Sequence, residues 1–214
     1  MADRALSRRE RQRLETRSEL VAAAHAIVKD EGYEALTIRK LAERVGMATM
    51  SVYSYFADKQ AILTAVAEDT FEVLARRVER KMSADPLEAL RAGLREFVAF
   101  GLENPNEYQT IFMTRTLHEH EEKEMRELEA ANPALQGMLR AVNAAIDAGE
   151  MRGDAHAIAT ILWTVSHGAI SLILTFPKYG FGDPLTYAGR VIDLAVASLA
   201  EADTPPLDPT RSCC

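Results

Sequence analysis

EGYEALTIRKLAERVGMATMSVYSYFADKQAIL, residues 31–63, is the stretch whose reading decides the fold. Ile38, Leu41, Ala42 and Val45 fall at i, i+3, i+4 and i+7, the single apolar face of a helix over residues 37–45. Thr37 is placed to cap that helix and Gly46 to end it in a sharp turn, after which Met47 points back toward a core. A second helix, over residues 49–56, turns Val52 and Phe56 inward at i, i+4 and leaves Thr49, Met50, Tyr53 and Ser54 outward. Two short helices, a glycine turn and a small, polar outer face on the second make a helix-turn-helix pattern, whose second helix enters the major groove of DNA. Any pair of short helices in a bundle shares this periodicity, so both readings stand on spacing alone.

Outward from this stretch the chain reads as all-α. Helices are expected at about residues 8–31, 58–82, 86–103, 105–117, 120–148 with a break at Asn132-Pro133, 155–176 and 184–201, and no useful period-two alternation occurs. Asp58, Asp85-Pro86-Leu87-Glu88, Asn104-Pro105-Asn106-Glu107, Asn132-Pro133 and Asp183-Pro184 supply starts: a capping side chain, then a proline where its missing N–H costs nothing. The expected organisation is a three-helix DNA-binding domain at 1–66, a body of about six helices at 67–203, and a frayed tail at 204–214 that includes Thr204-Pro205-Pro206-Leu207-Asp208-Pro209.

Charge separates the two ends. The net charge of -7 argues against a nucleic-acid binder, but residues 1–60 carry 11 Lys+Arg against 9 Asp+Glu, and residues 61–214 carry 14 against 23. Arg4, Arg8, Arg9, Arg11, Arg13 and Arg17 crowd the first 17 residues, as expected if only that end meets phosphate; a solvated arm has the same composition. Cys213 and Cys214 lie at the very end, and no charged, apolar leader opens the sequence, so a reducing, cytoplasmic setting is expected. Residues 155–176 contain no Asp, Glu, Lys or Arg, but Thr160, Thr164, Ser166, His167, Gly168 and Ser171 suit a buried helix better than a lipid-facing one, and no membrane association is expected. His118-Glu119-His120-Glu121-Glu122 does not set its two histidines on one helical face, so no metal site is expected. No nucleophile motif, glycine-rich phosphate loop or paired carboxylates in an apolar setting appear, which points away from an enzyme and from a cofactor.

The run TIRKLAERVGMATMSVYSYFADKQAIL, with EGYEAL before it, resembles the DNA-binding domain of the tetracycline-repressor (TetR) family of bacterial regulators. The resemblance covers about residues 14–66, with Gly32, Thr37, Ile38, Ala42, Val45, Gly46, Tyr53, Tyr55, Phe56 and Lys59 at the family's spacing. It implies three DNA-binding helices, then a helical ligand and dimer domain, and a homodimer on a palindromic operator in double-stranded DNA. Ala48, Met50 and Ser54 depart from the residues the family often has there (Ser, Gly or Pro, and His or Arg), and these departures bear on which operator is read. Thr37, Arg39, Thr49, Met50, Ser51, Tyr53, Ser54, Tyr55 and Lys59 are the candidate DNA contacts. Met50 suits a thymine methyl, the tyrosines suit phosphate, one of them being partly core, and Lys59 opposes its own helix dipole unless a phosphate joins it.

In the body, Phe97, Phe100, Tyr108, Phe112, Met113, Met138, Trp163 and His167 are candidates for lining a pocket for a small apolar or amphipathic ligand, although aromatics and Met at helical spacing also make ordinary core. Trp163-Thr164-Val165-Ser166-His167-Gly168 and NPNEYQTIFM (104–113) resemble one C-terminal subclass of the family. Trp163 and His167 share a face, where His167 either meets a ligand or satisfies itself inside the protein. The helices at 155–176 and 184–201, rich in small residues, are expected to form a dimer seam. The expected function is a ligand-responsive transcriptional repressor, the alternative a DNA-binding regulator or architectural protein without an effector.

Overall fold

The computed structural model describes residues 7–81, 83–114 and 132–207. Among the described residues lie nine α-helices, one 3-10 turn and two two-residue strands, so the all-α expectation holds. They fall into two compact units: residues up to Thr70 together with the segment from Asn104, and Phe71–Glu103 together with the chain from residue 122 onward. The His118–Glu122 cluster and Cys213 and Cys214 lie outside the described residues.

The first unit starts with α1 (Arg8–Glu31). Ser7 Oγ accepts from the Glu10 N–H at 3.2 Å and the Glu10 carboxylate accepts from the Ser7 N–H at 2.7 Å, so two otherwise orphaned donors are satisfied reciprocally. Leu20, Val21, Ala24, Ile27 and Val28 form its buried face. After a 3-10 turn (Tyr33–Ala35), α2 (Ile38–Arg44) starts where Thr37 Oγ1 accepts from the Lys40 N–H at 3.1 Å. Gly46, at φ +68°, lets the Met47 N–H return to the Ala42 carbonyl at 2.9 Å. The next helix, α3 (Thr49–Val52), is shorter than the 49–56 expected. Past Val52 the chain tightens: Ser54 N–H donates to Ser51 O at 3.1 Å and Tyr55 N–H to Val52 O at 2.9 Å. This tight turn delivers Phe56, 3% exposed, to the core that holds Val52. Then α4 (Lys59–Glu79) begins with Asp58 Oδ1 accepting from the Ala61 N–H at 2.8 Å.

Leu20, Ile27, Leu36, Leu41, Val52, Phe56, Ile62, Leu63 and Val66 are the heart of one hydrophobic cluster drawn from α1 to α4. Fully burying each such side chain is worth about 1.5–3 kcal/mol. Against α1 packs α6 (Pro105–Met113), held also by Asn106 Nδ2 donating to the Lys29 carbonyl at 2.9 Å. The Asn104 start differs from expectation. Its side chain makes no capping bond, and Glu107 does not reach back to the helix start. Instead Glu107 is 2% exposed, with a carboxylate oxygen 2.8 Å from His25 Nδ1.

His25 has a second partner. Its Nε2 lies 3.2 Å from Thr70 Oγ1, and the Thr70 hydroxyl gives its own proton to the Val66 carbonyl at 2.9 Å. Thr70 can therefore only accept from His25, which places a proton on Nε2, and the carboxylate favours another on Nδ1. Both partners thus favour the protonated ring, and α1, α4 and α6 meet at it. Interaction with Glu107 raises the His25 pKa above the ordinary 6.5, burial works against it, and the charges of Glu107 and Asp69 add to the rise while Lys29 opposes it.

The second unit packs α5 (Pro86–Glu103) against α7 (Pro133–Asp147), α8 (Ala155–Thr175) and α9 (Pro184–Glu201). Three starts form as expected: Asp85 accepts from Glu88 N–H at 2.9 Å, Asn132 from Ala134 N–H at 3.0 Å and Asp183 from Thr186 N–H at 2.9 Å; Asp154, not singled out in the sequence, caps α8 by accepting from Ala157 N–H at 2.8 Å. By length and composition α8 could cross a membrane, yet Ala157, Ile158, Leu162, Ser166, Ala169, Ile170 and Ile173 are buried within the unit, as in a core helix. Arg77 joins α4 to α5 through Glu96 at 2.5 Å and Glu103 at 3.0 Å. Thr204, which the sequence assigned to a frayed tail, is instead pinned. β1 (Arg152–Gly153) pairs in parallel with β2 (Asp203–Thr204), the Asp154 N–H donates to Thr204 O at 2.8 Å, and Thr204 is 7% exposed.

Two outcomes test these interactions. A Cβ on Gly153, at φ +109°, would lie 2.1 Å from Thr204 O, so Gly153→Ala is expected to lose about 2 kcal/mol in urea unfolding. Because the folded His25 pKa lies above its ordinary value of 6.5, its stabilisation is complete below that value and disappears as pH rises through the raised one. The urea midpoint of wild type should fall across that rise more than that of His25→Gln, and Glu107→Gln should cost about 3 kcal/mol at the low-pH end.

Candidate nucleic-acid interface

The first unit turns one face of α3 and its following turn outward because the opposite face is committed. Val52 is 0% exposed and Phe56 3%, and the helical repeat then leaves Thr49, Met50, Tyr53 and Ser54 pointing away from the core. All four are exposed, Met50 by 76% and Tyr53 by 47%. Among the other candidates Ser51 is half-buried, and Tyr55 packs its ring against the core cluster, which makes it the partly internal tyrosine. Thr37 is exposed with its hydroxyl oxygen used as the α2 cap, so its proton stays available for donation.

The cations near this face are mostly engaged. Arg39 is exposed and donates to Glu43 at 2.9 Å, Lys40 pairs with Glu31, and Arg44 lies 3.9 Å from Asp30. Lys59 is neither a solvated lysine nor a free clamp. Its Nζ donates to the Tyr33 carbonyl at 2.9 Å and sits 3.8 Å from the centre of the Tyr33 ring. The penalty of a cation in the first turn of α4 is thus offset from inside the unit. Sequence reasoning treated the N-terminal arginines only as a charge cluster; the structure gives two of them definite seats. Arg13 Nη2 donates to the Ser54 carbonyl at 3.2 Å, and the Arg17 guanidinium lies 4.9 Å from the centre of the Phe56 ring. Four-residue spacing of Arg9, Arg13 and Arg17 was the available signal.

The candidate ligand-binding residues fall in both units. In the second, His167 lies between Phe97, 5.0 Å away at 65°, and Trp163, 4.9 Å away at 90°, both edge-to-face. Trp163 is 47% exposed, Phe100 only 4%, and Met138 is half-buried. In the first unit Tyr108 and Phe112 are 5.2 Å apart, and Met113 is 53% exposed. Tyr108 is fully buried, which pushes its hydroxyl pKa up to about 12 and keeps it a neutral donor. The structure therefore brings Phe97, Trp163 and His167 together, and separately Tyr108 and Phe112.

Comparison with known proteins agrees with this architecture. The family model described as bacterial regulatory proteins, tetR family, matches residues 20–66, and that described as tetracyclin repressor-like, C-terminal domain, matches residues 90–186. The nucleoid occlusion factor SlmA of Vibrio vulnificus is 33% identical over 88 residues; the match covers 40% of this chain and 45% of that protein, so it spans about half the relative's length. The HTH-type transcriptional repressor AcnR of Corynebacterium glutamicum is 23% identical over 194 residues, covering 88% of this chain and 94% of that one. Among solved structures, RolR in complex with its ligand resorcinol superimposes with a TM-score of 0.64 at 20% identity, over 92% of this chain and 99% of that one, a likeness of fold. Two family models matched in chain order, over a helix-turn-helix with the outer face of its second helix exposed and a separate helical unit behind it in sequence, place this chain in the TetR family of bacterial regulatory proteins.

Proposed function

We propose that the chain is a DNA-binding transcriptional regulator that acts as a homodimer in the cytoplasm, a repressor that a small molecule releases from a palindromic operator, with no catalytic activity of its own. The observation that carries this reading is the exposed set Thr49, Met50, Tyr53 and Ser54 on a helix-turn-helix whose back is wholly committed to the core. Thr49 and Ser54 offer hydroxyls to base edges, Met50 an apolar end to a thymine methyl, and Tyr53 a hydroxyl to phosphate. Thr37, Arg39, Ser51, Tyr55 and Lys59 surround them as DNA-touching groups or supports. The repressor AcnR matched over most of both chains supports the regulatory reading.

The dimer reading rests on α8 and α9. Ile161, Val165, Gly168 and Leu172 recur on one face of α8 at four- and three-residue steps, and Phe176 follows just beyond the helix. Ile161, Leu172 and Phe176 are 36%, 47% and 55% exposed, and Leu194 on α9 is 72% exposed. A Cβ placed on Gly168 would meet nothing within 4 Å outside its own helix, which leaves room for close approach of another helix. A second copy covering this face would complete the burial of an otherwise apolar helix, and a dimer is what reading a palindrome requires, its half-sites lying about one DNA turn (~34 Å) apart. For the effector, the Phe97–His167–Trp163 group suits a planar, amphipathic molecule that stacks on rings and shares one hydrogen bond, and the resorcinol held by RolR is of that class. Its effect on DNA affinity equals its differential affinity for the two protein states.

Tyr53→Ala and Met50→Ala should each lower affinity for the operator by about 1–3 kcal/mol in gel shift, with unchanged thermal unfolding because both side chains are exposed. Wild-type binding by both variants would overturn the assignment of these residues to the reading face. Leu194→Glu should convert a dimer to a monomer in sedimentation velocity without loss of helical signal, and a variant that sediments as wild type would remove α9 from the seam.

A further inference from the structure

A second set of cations lies beside the reading face. Arg9, Arg13 and Arg17 follow one another at four-residue steps along α1, with Arg8 and Gln12 alongside. The bonds of Arg13 to the Ser54 carbonyl and of Arg17 to the Phe56 ring hold this face of α1 against the segment that ends the recognition helix. Arg8, Arg9, Gln12, Arg13, Ser54 and Tyr55 line one open cleft there. Among the described residues no carboxylate pairs with Arg8, Arg9 or Arg13, whereas Arg39, Lys40 and Arg44 each face one. Arg8 and Arg9 are exposed, and Arg13 spends one N–H on Ser54 and keeps the rest of its fork.

We propose that Arg8, Arg9 and Arg13 form a second phosphate-binding site, which grips the backbone of the duplex flanking the bases faced by α3 and so lengthens the operator beyond the half-site. The inference rests on the DNA-binding function proposed above and adds a separate part of the duplex to it. Guanidinium groups match phosphate oxygens in bidentate fashion. A rise of 1.5 Å per residue sets Arg9 and Arg13 about 6 Å apart along α1, close to the roughly 7 Å that two nucleotide steps of about 3.4 Å cover along the duplex axis. Such a grip is blind to sequence, so it adds affinity and register without choosing bases. A chain of net charge -7 gains most from cations concentrated where the phosphates pass.

The test uses the full-length protein and duplexes it selects from a random-sequence library. Two versions of the selected operator are compared, one trimmed at the outer edges of the half-sites and one carrying a further helical turn (~10 bp) on each side. R8A/R9A removes two cations that take no part in the interactions at Ser54 and Phe56. On the flanked duplex, the slope of log affinity against log salt should be shallower for R8A/R9A than for wild type by about 0.9 for each phosphate left without its arginine. Flank protection from hydroxyl radical should disappear with it, R8K/R9K should restore the slope, and both proteins should bind the trimmed duplex alike. Equal slopes on the flanked duplex, or an equal weakening on both duplexes, would overturn the proposal. Tyr53→Ala keeps the two readings apart, since it should weaken both duplexes while retaining the flank contribution. A library that enriches no duplex would overturn the DNA-binding reading and this inference together.

Discussion

The burial of Val52 and Phe56 is the constraint on which the first unit depends. Both side chains enter the cluster built from Leu20, Ile27, Leu41 and Ile62, and they reach it from a helix of only four residues and the tight turn behind it. A helix so short has little stability of its own, because nucleation costs several ordered residues for each early hydrogen bond. Tertiary burial holds it, and the same burial dictates which side chains face out. The proposed reading face is therefore a by-product of the core: Thr49, Met50, Tyr53 and Ser54 are exposed because Val52 and Phe56 are not.

Electrostatics in this unit follows a division between spent and available charge. Glu107 and His25 neutralise each other where both are largely shielded, and Thr70 fixes the second imidazole proton. Removing one member would leave a charge with no counterpart in a poorly solvated place, which is costlier than the pair itself is favourable. Around α2 the exposed cations face carboxylates, and Lys59 is taken by the Tyr33 carbonyl and ring. The charge concentrated at the start of α1 is different, since its arginines meet backbone oxygen and an aromatic face rather than carboxylates. A chain that is acidic overall can thus still present local positive potential.

Much was legible in the sequence because it depends on neighbours in the chain. Thr37, Asp58, Asp85, Asn132, Asp154 and Asp183 each accept from a backbone N–H two or three residues ahead, so a cap can be read from adjacent letters. Gly46 is equally local, since its turn requires a positive φ that few other residues adopt cheaply. The inward faces of α2 and α3 follow from helical repeat. The same rules misled at Asn104, whose side chain was expected to cap its helix and makes no capping bond, while Glu107 three residues on turns to a histidine 82 positions earlier. They misled again at Thr204, where a proline-rich ending concealed a two-residue pairing with Arg152 and Gly153.

What the sequence by itself determined was the set of helices, their starts, the helix-turn-helix and the separation of a basic end from an acidic remainder. These follow from hydrogen bonds and periodicities that close within a few residues. The tertiary structure alone decided which charges are spent. The seats of Lys59 on Tyr33, of His25 between Glu107 and Thr70, and of Arg13 on Ser54 join residues 26, 82, 45 and 41 positions apart. No local rule links residues so distant. They meet because burying the apolar faces of α1, α2, α3, α4 and α6 in one unit brings these polar groups within reach of one another.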